Sequence, residues 1–202
     1  MVTINALKEF LQDHLWEIAS RVEDKVDVEI VDKNVDIQDR TGVFSYTITV
    51  EAKLREAGRI YYDGIVESFN DGLMQSGEEL SEEEYEKMLN EYVGEEIRKF
   101  DEEHGVKPFE FKYKDTMFEI ANSTYVEDDN YKRTWFDTMV VKYRNQVSID
   151  FVETWFKKFT SEKEEDVANV LEDMEKAVEY ESDLIATAIR EFKEILMNLL
   201  KR

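Results

Sequence analysis

The sequence contains one set of charged residues whose types and spacing could do metal-dependent chemistry. Asp36 and Asp39 precede a strongly alternating segment, and Glu51 and Lys53 lie near its end, one residue apart. Alternate residues of a strand point to the same face, so Glu51 and Lys53 are expected to share one side. Carboxylate oxygens hold hard cations such as Mg²⁺, and a nearby lysine can polarise an attacking water. These four residues are therefore candidate catalytic residues of a hydrolase.

The pattern resembles the magnesium-dependent nucleases of the PD-(D/E)xK type, which use an aspartate and an acidic-x-lysine pair on neighbouring strands. The order helix, strands, helix, strand also resembles the core of that family. The resemblance implies a catalytic role for Asp36 or Asp39 together with Glu51 and Lys53. The chain departs from the family pattern because no proline precedes either aspartate. The alternative interpretation is a solvated strand face with an ion pair between strands.

Other routes to catalysis find little support in the composition. Cysteine is absent, which excludes disulfides, thiolate metal sites and cysteine nucleophiles. The two histidines, His14 and His104, have no second histidine at ligand spacing, and His104 suits a helix C-terminus. The seven glycines form no phosphate-binding loop, and residues 32–39 lack the glycine of a calcium loop. We therefore predict no cofactor and no metal site, and these residue patterns favour a non-enzymatic protein over an enzyme.

The charge of the chain restricts its partners. Lysine and arginine total 26 against 48 aspartates and glutamates, giving a net charge of −22. Such a field repels nucleic-acid phosphates and anionic membranes and attracts basic surfaces. Aromatic residues stand beside lysines or arginines at 131–136 and 155–158, an arrangement that can stack nucleic-acid bases, but the negative field opposes this role. We predict a basic protein surface as partner, and neither direct nucleic-acid binding nor membrane binding.

The negative charge is concentrated in two segments. Residues 78–103 contain 12 acidic and 3 basic side chains, and residues 161–181 contain 9 and 2. A helix over the first segment would carry an acidic group roughly every 3.3 Å of its axis, near the 3.4 Å phosphate spacing of one DNA strand. In charge and size, though through no motif, the chain resembles nucleic-acid mimics, anti-restriction and anti-CRISPR proteins and acidic immunity proteins.

The predicted function is a non-enzymatic acidic protein-binding module, an inhibitor or nucleic-acid mimic of a basic nucleic-acid-binding protein, encoded by a phage or mobile element. The candidate contacts are carboxylates of the two acidic segments: Glu82, Glu83, Glu86, Glu91, Glu95, Glu96, Asp101 and Glu102 on the first, and Glu162, Glu165, Glu172, Asp173 and Glu179 on the second. Acidic helices also arise without function, because glutamate is a good helix former. A nuclease and a structural, virion-type assembly component are the alternatives.

Periodicity predicts helices over 3–22, from a capping box at Ser81 and Glu84 to Gly105, and from a second box at Ser161 and Glu164. The last region holds apolar heptads interrupted only by Glu181, which favours either one long helix or a hairpin broken there. The predicted strands cover 26–31, 43–54, 59–69, 109–113, 116–125, 134–144 and 147–155.

These elements predict an α+β fold: antiparallel sheet or sheets with an N-terminal helix, a central acidic helix and a long C-terminal helix or helical hairpin. We expect one domain over 1–202, with a possible subdivision into a helix-sheet-helix half (1–105) and an aromatic-rich sheet with C-terminal helices (106–202). No apolar run approaches transmembrane length and no secretory signal is evident, so a cytoplasmic location is expected, the host cytoplasm if a phage encodes the chain. The C-terminal helix is a possible homo-oligomer contact.

Overall fold

A computed structural model describes residues 2–40, 42–104, 110–129 and 132–201. Within them the protein is α+β, with five helices and one antiparallel sheet of five strands in the order β1-β2-β5-β4-β3, which confirms the predicted fold class. The helices are α1 (Ile4–Lys25), α2 (Tyr62–Ser76), α3 (Glu82–His104), α4 (Ile149–Phe159) and α5 (Glu164–Leu200). The strands are β1 (Glu29–Arg40), β2 (Val43–Tyr61), β3 (Lys112–Lys114), β4 (Phe118–Asp129) and β5 (Lys132–Ser148).

The chain forms two compact units. Unit 1 comprises Met1–Leu54, Glu110–Asn122 and Met139–Arg202, and unit 2 comprises Arg55–Phe109 and Ser123–Thr138. Strands β2, β4 and β5 contribute residues to both units. The expectation of a single domain, with a possible subdivision after residue 105, stays a prediction.

The core of unit 1 lies between α1, α5 and one face of the sheet. Helix α1 begins where the Thr3 hydroxyl accepts a hydrogen bond from the Ala6 amide at 3.2 Å. Periodicity predicts an apolar stripe of Ile4, Leu7, Leu11, Leu15, Ile18 and Val22, and all of these are buried except Ile4, which is 43% exposed. Helix α5 packs on α1. In β2 the alternation is confirmed residue by residue. Its buried side chains are Phe44, Tyr46, Ile48, Val50 and Ala52.

Helix α5 is continuous over 37 residues, so the hairpin alternative is wrong. At 1.5 Å per residue it is about 56 Å long. The predicted capping box is also wrong, because Lys163 is the N-cap and contributes no side-chain bond. Ser161 instead donates its hydroxyl hydrogen bond to Asp166 at 2.9 Å, so its side chain is engaged before the helix begins.

Two predicted strands are helices. The sequence predicts a turn at residues 56–58 and a strand over 59–69 that pairs with β2. In the structure β2 itself continues through residues 56–58 to Tyr61, and α2 follows. Residues 147–155 likewise divide between β5 and α4, which begins where Ser148 Oγ accepts from the Phe151 amide at 3.1 Å. The buried pairs Ile65 with Phe69 and Val152 with Trp155 have helical spacing. In such short apolar runs the strand and helix periods are not distinguishable.

The start of the first strand also differs from the prediction. Residue Val26 caps α1, and β1 begins only at Glu29. The strand extends to Arg40, although the sequence predicts a polar turn over residues 38–42. The alternating residues of 26–31 are therefore shared between a helix end and a strand.

Unit 2 contains α2 and α3. The capping box of α3 is confirmed: Ser81 Oγ accepts from the Glu84 amide at 3.3 Å, and Glu84 Oε2 accepts from the Ser81 amide at 3.0 Å. Periodicity predicts a buried stripe of Tyr85, Met88, Leu89, Tyr92, Ile97 and Phe100, which is wrong in part. Met88 is 37% exposed, and the buried residue among the described side chains of this helix is Val93. The predicted end at Gly105 and the side chain of His104 lie outside the described residues.

Candidate functional site

The structure separates the residues of the nuclease-like pattern. In the β1–β2 register Asp36 lies opposite Thr47 and Asp39 opposite Phe44, four and seven residues along β2 from Glu51. At about 3.3 Å per residue these offsets are roughly 13 and 23 Å. Lys53 binds Glu29 of β1 at 3.0 Å, which is an ion pair between strands.

The two aspartates have other surroundings. Asp39 Oδ1 accepts a hydrogen bond from Lys8 at 2.9 Å, and this bond is the main cause that lowers the Asp39 pKa. Asp36 lines an open groove of ≈ 760 Å³ on the polar face of the sheet, together with Thr47, Lys142 and Arg144. Across the described residues, no three acidic or histidine side chains are grouped so that they could hold a metal ion.

The carboxylates predicted on the first acidic segment lie on or beside α3 and are largely free. Glu96 binds Lys99 at 2.7 Å and Glu102 binds Arg98 at 3.0 Å. Five of the predicted contacts on this helix are exposed and form no ion pair among the described residues: Glu82, Glu83, Glu86, Glu91 and Glu95. Asp101 is half-buried, and desolvation raises its pKa. At about 3.6 residues per turn, Glu91 and Glu95 lie on one side of α3, whereas Glu82 and Glu86 lie on the opposite side. These five exposed carboxylates together are called the α3 acidic face, and they retain most of their negative charge.

An open groove of ≈ 700 Å³ adjoins the α3 acidic face. It is lined by Phe69 of α2 and by Met88, Glu91, Tyr92, Gly94, Glu95 and Arg98 of α3. The ring of Phe69 packs on Tyr85 and Tyr92 at centroid distances of 5.6 and 5.4 Å. A Cβ placed on Gly94 would meet nothing within 4 Å, so the groove is open at this position. The groove combines aromatic rings with two carboxylates that have no ion pair among the described residues.

The carboxylates predicted on the second acidic segment are more strongly engaged. Glu179 binds Arg21 and Lys25 of α1 at 3.3 and 2.8 Å, and Glu172 binds Lys176 at 2.6 Å. The remaining predicted contacts, Glu162, Glu165 and Asp173, are exposed. Part of the charge on α5 thus serves contacts within unit 1.

Sequence reasoning missed a group of polar side chains inside unit 1. The Tyr46 hydroxyl lies 2.7 Å from both carboxylate oxygens of Glu181, and Asn145 Nδ2 donates to the Tyr143 hydroxyl at 3.1 Å. Desolvation raises the Glu181 pKa, while hydrogen bonds from Tyr46, Tyr143 and Asn145 act in the opposite direction. The signal in the sequence was Glu181 itself, the one polar residue in the heptads, and it marks a buried bond rather than a break.

His14 lies beside this group. Its ring packs edge-on against Trp155 at 5.2 Å, and desolvation lowers its pKa to about 4. The imidazole is therefore neutral at physiological pH.

The aromatic residues beside lysines or arginines do not form an exposed stacking surface in the described residues. Trp135, Phe136 and Trp155 are buried, and Lys157 binds Glu153 of its own helix at 2.9 Å. Residue 131 and the side chains of 132 and 133 lie outside the described part of the chain.

Among the described helices, none has both the length and the apolar composition needed to cross a bilayer. No family model, no curated protein and no solved structure matches this chain.

Proposed function

We propose that this protein is a non-enzymatic acidic binding module that docks a basic, amphipathic segment of a nucleic-acid-binding protein and so acts as an inhibitor or nucleic-acid mimic. The observation that carries the proposal is the groove of unit 2, where unpaired carboxylates stand beside the half-buried Tyr92 ring and the exposed Met88 side chain. The groove and the α3 acidic face together are called the docking face.

Charge complementarity selects the partner. Glu91 and Glu95 line the groove, and Glu82, Glu83 and Glu86 extend the negative charge along the same helix. Their negative field raises the association rate of a basic surface and repels a phosphate backbone. A protein that itself binds nucleic acid presents such a basic surface.

The apolar groove sets a second requirement. Phe69, Met88 and Tyr92 offer rings and a flexible thioether, a combination found at surfaces that accept amphipathic helices. A partner with lysines or arginines beside apolar side chains satisfies the groove and the carboxylates together. A purely electrostatic partner would leave the apolar surface exposed.

The same proposal includes the source of the chain and the compartment in which it acts. Blocking a nucleic-acid-binding protein suits a chain encoded by a phage or mobile element and acting in the host cytoplasm. Of the second acidic segment, Glu162, Glu165 and Asp173 serve as a secondary contact.

The experiment combines affinity capture from bacterial lysate, at low and high salt, with affinity measurements on the captured protein. The triple variant Glu86→Lys, Glu91→Lys, Glu95→Lys should weaken binding by about a hundredfold, since close charge pairs couple by several kcal/mol. The matched control is Glu162→Lys, Glu165→Lys, Asp173→Lys, which changes the net charge equally and should cost less than tenfold. Equal losses from the two variants would mean that the overall field binds the partner and would reject the docking face.

A second pair of variants tests the groove without changing charge. Gly94→Leu places a side chain in the groove, whereas Gly72→Leu adds the same side chain to α2 at a site that does not line it, and a Cβ has open space at both positions. Replacing a helical glycine favours the helix in each case, by up to about 1 kcal/mol. Gly94→Leu should reduce affinity by about tenfold or more while Gly72→Leu leaves it unchanged.

The enzyme alternative has its own test. A Mg²⁺-dependent nuclease would cleave DNA or RNA and lose that activity in Glu51→Ala and Lys53→Ala. We expect no cleavage by the unmodified protein, because Asp36 and Asp39 lie far along the strands from Glu51. Cleavage that depends on both residues would replace the binding proposal with the nuclease.

A further inference from the structure

Unit 1 contains a second, smaller cavity that the docking face does not involve. Its volume is ≈ 150 Å³, and the residues that line it include His14, Tyr46, Asn145, Gln146, Trp155 and Glu181. An apolar cavity of about this volume admits a benzene-sized molecule. This one differs because a carboxylate and two amide side chains share the wall.

The charges of the wall favour a cation. Glu181 supplies a carboxylate, and no lysine or arginine is among the lining residues. His14 adds no positive charge, because its imidazole stays neutral at physiological pH. The carboxylate already accepts from Tyr46, Tyr143 and Asn145, and because a carboxylate has about four acceptor positions, it retains capacity for one further partner.

Aromatic rings complete the wall. The ring of Trp155 contacts the rings of His14 and Phe151, at centroid distances of 5.2 and 4.7 Å. Ring faces attract cations electrostatically, and tryptophan does so most strongly. A carboxylate beside several aromatic rings is the chemistry that recognises ammonium groups.

The cavity reaches solvent. Phe151 is 47% exposed, and Gln146 is exposed as well, although both line the wall. A ligand can therefore enter beside these two residues without unfolding of the core.

We propose that this cavity binds a small organic ammonium ion, held by the Glu181 carboxylate and the Trp155 ring. The ion is either a free amine or the methylated ammonium end of a lysine side chain on another protein. Both sources present the same chemistry to the cavity, and separate ligands distinguish them.

The probe is tetramethylammonium chloride, titrated into the full chain at about pH 8 and about 0.15 M sodium chloride and followed by protein NMR. The neutral control is tert-butanol, which has a similar size and no charge. Tetramethylammonium should bind at least about tenfold more tightly, the ratio expected for about 1.4 kcal/mol of charge-dependent attraction. Equal affinity for the two compounds would show an ordinary apolar void and overturn the proposal.

Two variants locate the site. Glu181→Gln keeps the shape and an acceptor but removes the charge, and it should weaken tetramethylammonium binding by about tenfold. Glu191→Gln, which removes an exposed charge from the same helix, should have no effect. If it weakens binding as much as Glu181→Gln, the ion is held by the general field and the cavity proposal fails. The Glu181→Gln spectrum reports whether the fold is retained. If that fold is lost, Phe151→Leu, at the exposed mouth, provides the second test, and unchanged affinity there also counts against the cavity.

A trimethyllysine peptide and its unmodified form separate the two sources. Binding of the free ion alone assigns a small amine as ligand, and binding of the trimethylated peptide as well assigns a modified protein. Binding of neither the free ion nor the peptide overturns the proposal. The docking face is unaffected by any of these outcomes, because none of its residues lines the cavity.

Discussion

Helices α3 and α5 are both strongly acidic, yet they use their charge in different ways. Helix α5 buries eight side chains and binds α1 through ion pairs of Glu175, Glu179 and Asp183. Helix α3 buries Val93 alone among its described side chains and keeps seven exposed carboxylates without a described ion pair. Acidic composition therefore does not by itself distinguish a helix that is bound within the fold from one that is available to a partner.

The neighbouring helix accounts for the difference. Helix α1 supplies Arg21 and Lys25 to α5. Helix α2, which packs with α3, has the sequence YDGIVESFNDGLMQS and contains neither lysine nor arginine. The carboxylates of α3 thus receive no counter-charge from α2, and a basic partner can supply it.

The largest expected effect tests the unequal burial of the two helices. Ile185→Ala, at a fully buried position of α5, should lower the free energy of unfolding by about 2–5 kcal/mol. Val93→Ala in α3 removes less apolar surface and should cost about 1–2 kcal/mol. Urea unfolding, with hydrogen exchange to assign the change to each helix, measures both. Equal losses of unfolding free energy in the two variants would contradict the unequal burial of α5 and α3.

The second prediction concerns His14, which lies against the same core as α5. The unfolded chain binds a proton near the ordinary pKa of 6.5, whereas the native state does so only at about 4. Stability should therefore fall as the pH drops from about 6.5 to 4, by about 3 kcal/mol from this group. The share of the decrease that comes from His14 should be absent from the matched His14→Gln variant. The share that comes from the carboxylates should remain, because they titrate as before. Parallel stability–pH curves for the two proteins would contradict a buried neutral imidazole.

The smallest effect tests the ion pairs directly. Lys25→Met removes the contacts with Glu179 and Asp183 and should lower stability by about 0.5–1 kcal/mol at low salt, with a smaller effect at high salt. Lys99→Met removes an exposed pair within α3 and should cost less. Urea titrations at two salt concentrations check both variants. A larger loss of stability from Lys99→Met than from Lys25→Met would mean that the ion pair within α3 stabilises the fold more than the pairs between α1 and α5. This would contradict the contrast between the two helices.

The sequence was informative wherever one periodicity ran undisturbed over a whole element. The stripe of α1 from Leu7 onward, the alternation of β2 and the capping box of Ser81 and Glu84 were all predicted and observed. Helices α2 and α4 were missed because their short apolar runs fit both periods.

The interior polar contacts could not be predicted in the same way. Glu181 and Tyr46 are 135 residues apart in the chain, so no local pattern connects them. The pairing of Glu179 likewise depends on where α1 lies in the fold. Both facts depend on tertiary packing, which decides whether a carboxylate near an apolar stripe breaks a helix or finds a donor.

The bond between Tyr46 and Glu181 also limits how α5 can slide along its own axis. The residues one turn away on either side are apolar: Ala177, Val178, Leu184 and Ile185. A heptad stripe presents similar side chains after each such step, so apolar packing alone distinguishes the positions weakly. A shift of one turn, about 5.4 Å, would leave the Tyr46 hydroxyl facing a methyl group and the carboxylate without its donor. One polar contact near the middle of the apolar stripe of α5 thus selects a single axial position for this helix.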